Sequence, residues 1–272
     1  MQGTLRKMET ELLQPVRYVL PLGDEKVELN QFIGKLIKLS FTGNISCIHC
    51  QRSIKKSFSQ GYCYPCFSSL AQCDLCIMKP ETCHYEAGTC REPEWGDAFC
   101  YQPHYVYLAN SSGVKVGITR HTQIPTRWID QGAVQALPIL KVKSRHISGL
   151  VEVAIAEYVS DKTSWQRMLK NLQEPVDLIA KRDELLALCV EKLAAVTERF
   201  GEDAFEFLAD AEVVNIEYPA ERYPEKVKSF NFDKTAEVAG VLQGIKGQYL
   251  LLDTGVINIR KFTGYEVEFT GA

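Results

Sequence analysis

The 272-residue chain has no run of about 18 apolar residues, the length a helix needs to cross a bilayer. Its first residues, MQGTLRKMETELLQ, carry no apolar core of the kind a secretion signal uses. Both absences point to a cytoplasmic protein. Net basic charge is missing too: 31 Lys and Arg against 34 Asp and Glu leave −3, so the whole molecule exerts no bulk attraction on nucleic acid. Cysteine is almost absent outside one stretch. Nine of the ten fall between Cys47 and Cys100, and the tenth, Cys189, sits within a helical apolar face as a core thiol. No internal repeat divides the chain. What remains, 46% hydrophobic and 24% charged residues, is ordinary for a globular protein with a substantial core.

Charge is unevenly spread. From Val114 to His146 the bases Lys115, Arg120, Arg127, Lys141, Lys143 and Arg145 face a single acid, Asp130. From Val176 to Glu225 thirteen acids outnumber five bases. The first segment suits a polyanion such as DNA or RNA, and the second does not.

The cysteines are spaced for metal. Cys47-x-x-Cys50 and Cys63-x-x-Cys66 are separated by twelve residues, the pattern of a zinc ribbon or knuckle. Each Cys-x-x-Cys turn presents two thiolates, and two turns complete a tetrahedron. Disulfides fit poorly without a secretion signal. Cys73-x-x-Cys76, Cys83, Cys90 and Cys100 follow, with His84 and His104 nearby. A second metal on Cys73, Cys76, Cys83 and Cys90 is the first choice, although five cysteines exceed a tetrahedron and His84, Cys100 or His104 could replace one of the set. An iron–sulfur cluster also accepts four thiolates, but the ribbon spacing of the first quartet favours two structural zinc ions. They would staple a stretch with too few periodic apolar positions to form its own core.

Around this stretch the pattern is mixed. Short strands are expected in 1–46 at Pro15–Leu20, Lys26–Leu29 and Lys35–Phe41, with no sign of chemistry. Val106 and Leu108 alternate with Tyr105 and Tyr107, then Val114, Val116 and Ile118 with Lys115, Gly117 and Thr119, which predicts a hairpin. Pairing Leu108 with Val114 places Tyr107 opposite Lys115 on an accessible face, with Gly117 leaving room for an approach. Ala136–Lys143 reads as a third strand. Pro125 marks a helical turn carrying Arg127, and a helix begins at Gly149 with Leu150, Val151, Ala154, Ile155 and Tyr158 inward. It would place Glu152 in its first turn, where an acid suits the dipole, and would close at Asp161–Thr163. Ser164 caps the next helix, and one long amphipathic helix is expected over Pro175–Phe200. The tail is β by pattern, with a tight turn at Asp253-Thr-Gly255.

Val-Tyr-Leu, a short loop, Lys-Val-Gly-Ile-Thr, an arginine ten residues on and a later helical glutamate resemble the GIY-YIG nuclease domain, closest to its branch with lysine in the second triplet. The first triplet here lacks its glycine. The resemblance implies that one divalent metal, Mg²⁺ or Mn²⁺, cuts a phosphodiester with Tyr107, Lys115, Arg127 and a metal-holding glutamate, either Glu152 or Glu157. Lys115 would lower the proton affinity of Tyr107, and Arg120, Lys141, Lys143 and Arg145 would grip nucleic acid. The whole chain also resembles a bacterial family of uncharacterised proteins. The expected fold is α+β: terminal strands (1–46 and 213–272) forming one β-domain, a zinc-stapled insertion (47–104), a small GIY-YIG-like α/β core (105–172) and a helical segment (173–212). Binding modules that keep this fold without cleavage, or a protein-interaction scaffold, are the alternatives.

Overall fold

Alternating strands at both ends of the chain have one apolar face each, and they bury it by pairing with one another. The computed structural model describes residues 1–159 and 164–272, so the helix end expected at Asp161–Thr163 lies outside the described residues. The chain opens with β1 (Gln2–Thr4), β2 (Glu9–Glu11), β3 (Arg17–Leu22), β4 (Glu25–Glu28) and β5 (Leu36–Ile45). The cysteine stretch carries three short helices, α1 (Tyr64–Ser69), α2 (Leu75–Met78) and α3 (Pro93–Phe99). Next come β6 (His104–Asn110), β7 (Val114–Arg120), α4 (Thr126–Asp130), β8 (Gln135–Val142) and α5 (Arg145–Ala156). Helices α6 (Trp165–Leu169), α7 (Leu178–Leu188) and α8 (Val190–Phe200) precede β9 (Phe205–Phe207) and β10 (Val214–Asn215). The tail holds β11 (Glu237–Lys246), β12 (Tyr249–Leu252), β13 (Gly255–Asn258) and β14 (Tyr265–Gly271).

The fold is α+β. One antiparallel sheet runs β1-β14-β5-β11-β12-β13, so N- and C-terminal strands interleave, and β2-β3-β4 form a second sheet beside it. Their shared core includes Leu20, Leu39, Ile245, Val267 and Phe269. A third sheet, β10-β8-β6-β7 with β9 also on β8, lies between two layers. One face packs Val106, Leu108, Val116 and Leu137 against Val151 and Ile155 of α5, Leu185 of α7 and Leu193 of α8. The other packs Tyr107, Ala109 and Ala136 with Trp128 and Ile129 of α4 into the terminal β core. Strand β7 is one edge of this sheet.

The hairpin closes through Ser111, Ser112 and Gly113, with Gly113 at φ +140°. Asn110 pairs with Val114, so the register slides two residues from the expected one: Leu108 faces Val116, Tyr107 faces Gly117 and Ala109 faces Lys115. A two-residue slip preserves which face each side chain takes. The face holding Tyr107 and Lys115 is nonetheless covered, and both residues are buried. The room at Gly117 is filled by Tyr107 itself, whose Oη would lie 2.6 Å from a Cβ there.

Two helices differ from their sequence pattern. Helix α5 starts at Arg145, where Ser144 Oγ accepts from the Ile147 amide, so Glu152 lies in its second turn and the dipole does not account for it. Tyr158 lies beyond its end and is exposed. The long helix breaks at buried Cys189, giving α7 and α8, which lets both halves reach the core of the third sheet. Ser164 precedes α6 without a side-chain cap.

Gly149 stands inside α5 because the cysteine stretch crosses there: a Cβ would lie 2.5 Å from the Glu81 amide nitrogen and 2.6 Å from Pro80 Cβ. Alanine for glycine in a helix interior ordinarily gains about 1 kcal/mol. Here we expect Gly149→Ala to lose about 2 kcal/mol, since backbone must move apart to admit the methyl. Urea unfolding checks the sign, and a stabilised variant would show that the contact yields freely.

Candidate functional site

The first cysteine quartet is built from two knuckles at the end of β5. The Gln51 amide donates to Cys47 O, and the Ile48 amide donates to Gly61 O, holding the knuckles together. Cys63 precedes α1, whose first turn contains Pro65. The sulfurs of Cys47, Cys50, Cys63 and Cys66 all lie within 4.8 Å of one another, and Cys50 and Cys63 are 3.7 Å apart. Thiolates at the corners of a zinc tetrahedron are about 3.8 Å apart, given Zn–S bonds of about 2.3 Å. The quartet can therefore hold a zinc ion. Burial pushes the Cys47 thiol up, while hydrogen bonds from the amides of Cys50, Cys63 and His49 and from the Cys50 side chain bring it down, to about 6. Cys66 is pushed up to about 12 by burial and by the neighbouring sulfurs. Without a cation the four cannot all ionise.

The remaining cysteines do not assemble as expected. Cys73 packs against the first quartet's cluster with Ile54 and Tyr62. Cys76, Cys83, Cys90 and Cys100 instead line one cavity, with Trp95, Tyr85 and Ile77. His104 is not among its lining residues; burial pushes its imidazole down to about 4, and its Nδ1 meets Gln102 O at 2.7 Å. His84 does line it, but approaches Asp74, which Arg91 Nε also engages at 2.7 Å.

A larger cleft of about 350 Å³ runs along the β7 edge, between α5 and α4. Five bases line it, Lys7, Arg120, Arg127, Arg145 and Arg260, against the two acids Asp130 and Glu152. Asp130 is engaged: Lys7 Nζ is 2.5 Å from it, Gln248 Nε2 donates to it at 2.8 Å, and Arg260 stands 4.0 Å away. Arg260 is in turn held by Gln60, between the two zinc-type knuckles, at 2.7 Å. Arg145 Nη2 donates to Ile77 O at 2.6 Å, and burial pushes its guanidinium down. Arg120 lies over the Phe99 ring, 5.0 Å from its centroid.

The chain matches the model of a family described as "Protein of unknown function (DUF2797)" over residues 34–267. It belongs to that family. No curated protein and no solved structure matches it. Among the described residues, no helix is long and apolar enough to cross a membrane.

Several predicted site residues of this DUF2797 chain meet at the cleft, and others do not. Arg127 and Glu152 line it together, although they come from helices on opposite faces of the sheet. Tyr107 reaches toward it from within: its ring is wholly buried against Trp128, and its hydroxyl donates to Gln131 Oε1 at 3.0 Å. Burial raises the proton affinity of Tyr107, Arg127 lowers it and Glu152 raises it, so the net direction is up, opposite to the expected activation beside Lys115. Glu157 caps the far end of α5 and pairs with Lys192, away from the cleft. Lys141 pairs with Glu206 at 3.5 Å, and Lys143 pairs with Asp203; both line a different depression.

Lys7, Arg260 and Gln131 carry no sequence signal for this site. Lys7 and Arg260 sit in terminal segments whose pattern speaks only of strands, and only the fold brings them alongside Asp130.

Proposed function

We propose that the chain binds DNA or RNA in the cleft along β7 and cuts a phosphodiester there, as the GIY-YIG resemblance implies. The observation that carries this reading is that Arg127 and Glu152, distant in sequence, line one cleft together with an excess of bases, with the buried Tyr107 hydroxyl interacting with both from beneath. Arg127 and Arg120 face a phosphate and stabilise the charge that grows on it. Tyr107, wholly buried with its hydroxyl donating to Gln131, positions Arg127 and Gln131 and does not reach an attacking water in the cleft. The donor set suits Mg²⁺ or Mn²⁺: two carboxylates, Asp130 and Glu152, line the cleft, these ions take one or two carboxylates plus phosphate oxygens, and the resemblance gives the metal to Glu152. Such an ion would supply Lewis-acid stabilisation at the phosphate. Zinc on Cys47, Cys50, Cys63 and Cys66 is structural, since four thiolates leave no open position. It fixes Gln60 and through it Arg260.

The test is incubation of the purified protein with mixed DNA and RNA, with and without Mg²⁺ or Mn²⁺. Metal-dependent cleavage is the expected result. Binding without cleavage would favour a module that keeps the cleft and lacks catalysis, a reading supported by the complete burial of Tyr107 away from the cleft lining. No binding at low salt would overturn both.

Binding is expected to weaken steeply with salt, because it runs through phosphate contacts. Arg120→Ala and Arg127→Ala should each flatten the slope of log affinity against log salt by about one. Lys143→Ala should leave the slope unchanged, since Lys143 pairs with Asp203 away from the cleft. A slope that depends on Lys143 and not on Arg120 would place the nucleic acid elsewhere.

A further inference from the structure

We propose that Cys76, Cys83, Cys90 and Cys100 hold an iron–sulfur cluster, with Cys73 excluded from its ligands. These four thiols line a single cavity, and each comes from a separate piece of chain. Cys76 lies on α2, Cys83 follows the turn Pro80–Thr82, Cys90 lies in the loop before α3, and Cys100 follows α3. Six, six and nine residues separate them in turn, so no two share a knuckle of the kind that grips one zinc from both sides.

Spacing between the sulfurs decides the class of metal. One zinc holds four thiolates about 3.8 Å from one another, and in the first quartet Cys50 and Cys63 are 3.7 Å apart. Among the described residues, the groups of three or more candidate ligands within 4.8 Å of one another are that first quartet and Asp74, Cys76 and His84. No three of Cys76, Cys83, Cys90 and Cys100 therefore have their sulfurs all within 4.8 Å of one another, the closeness a mononuclear site requires, although all four line one cavity. A cubane or rhomb of iron and inorganic sulfide suits this arrangement, because its thiolates are shared among several irons and the inorganic core fills the space between them. Trp95 and Tyr85 line the same cavity and give the cluster an apolar surround. The mixed set Asp74, Cys76 and His84 accounts for the site less well. Its carboxylate is already bound by Arg91, and it would leave three inward cysteines unused.

The cluster would brace the cleft. Ile77, next to Cys76, lines both the cysteine cavity and the cleft, and its carbonyl accepts from Arg145. The Arg145 amide donates to Cys100 O at 2.9 Å, so two ligands flank the arginine that lines the cleft wall. This inference stands independently of nucleic-acid cleavage, because its readout is metal content.

The full-length protein, made in iron-supplied cells and purified without oxygen, is analysed for iron, acid-labile sulfide and zinc, and by visible absorption before and after dithionite. Iron and sulfide in equal amounts, with a charge-transfer band that dithionite bleaches, are expected beside one zinc. Cys83→Ser and Cys100→Ser should abolish iron and sulfide while the zinc remains, and Cys73→Ser should keep all three. Two zinc ions with no sulfide would overturn the proposal, as would iron without sulfide, or iron and sulfide lost from Cys73→Ser but retained in Cys100→Ser.

Discussion

Cys63→Ser protein is expected to lack one zinc per chain and to be less stable than the parent by on the order of 5 kcal/mol. The size follows from what a zinc ion on this quartet would do in this segment. Residues between β5 and β6 contain only short helices and turns, and the local cluster around Cys47, Cys63 and Cys66 adds little beyond Leu70, Ile54, Tyr62 and Cys73. So small a core cannot offset the conformational entropy of ordering the knuckles, and metal binding there is folding energy. Serine binds zinc poorly and leaves three sulfurs crowded without a full set of ligands. The damage should spread. Ile54 packs both in this cluster and against the terminal β core, and Gln60 holds Arg260 in the cleft. Zinc analysis and guanidinium unfolding check the result, and a Cys63→Ser protein of parental stability would end the structural-zinc reading. Cys189→Ser, at a buried thiol whose Sγ meets Ala154 O at 3.6 Å, should leave the zinc content unchanged.

The residues that could be read from sequence are those whose signal is local. Cys47, Cys50, Cys63 and Cys66 declare themselves because a knuckle is a four-residue event. The strands β6, β7 and β8 show in their period, and the terminal strands in theirs, so the α+β class and the pairing of the two ends follow. Cys73 misleads for the same reason: Cys73-x-x-Cys76 has the local form of a knuckle, while tertiary packing sends Cys73 toward the first quartet and Cys76 toward the second set. The second face of the β6–β7 hairpin was unreadable because nothing in its alternation tells that α4 and the terminal β-domain cover it. Tyr107 and Lys115 then become buried where alternation alone predicts an open face. The start of α5 at Arg145, capped by Ser144, is hidden in the sequence by Gly149, which reads as a helix boundary. In the fold it is required by the close crossing of Pro80 and Glu81. The break at Cys189 has no counterpart in the sequence pattern, since the apolar spacing continues across it.

Glu152→Gln is expected to lower metal-dependent cleavage on the order of a thousandfold while leaving nucleic-acid affinity equal or slightly tighter. Glutamine keeps the volume and removes the charge that would hold a divalent ion, and several kcal/mol of transition-state stabilisation go with it. Removing a negative charge from a cleft lined by Arg120, Arg127 and Arg145 also lessens repulsion of phosphate, which is why binding should not fall. Glu157→Gln is the matched control. It stands away from the cleft, more than half exposed and paired with Lys192, so its loss should cost less than about 1 kcal/mol of stability and nothing in cleavage. Tyr107→Phe separates the remaining roles. It removes the hydroxyl that meets Gln131 and Arg127 but keeps the ring against Trp128, so a positioning role predicts a partial loss in turnover with an unchanged pH profile. A tyrosine acting as the base would instead lose nearly all activity. Cleavage that survives Glu152→Gln and fails in Glu157→Gln would move the metal to the other end of α5 and remove the cleft along β7 from the chemistry.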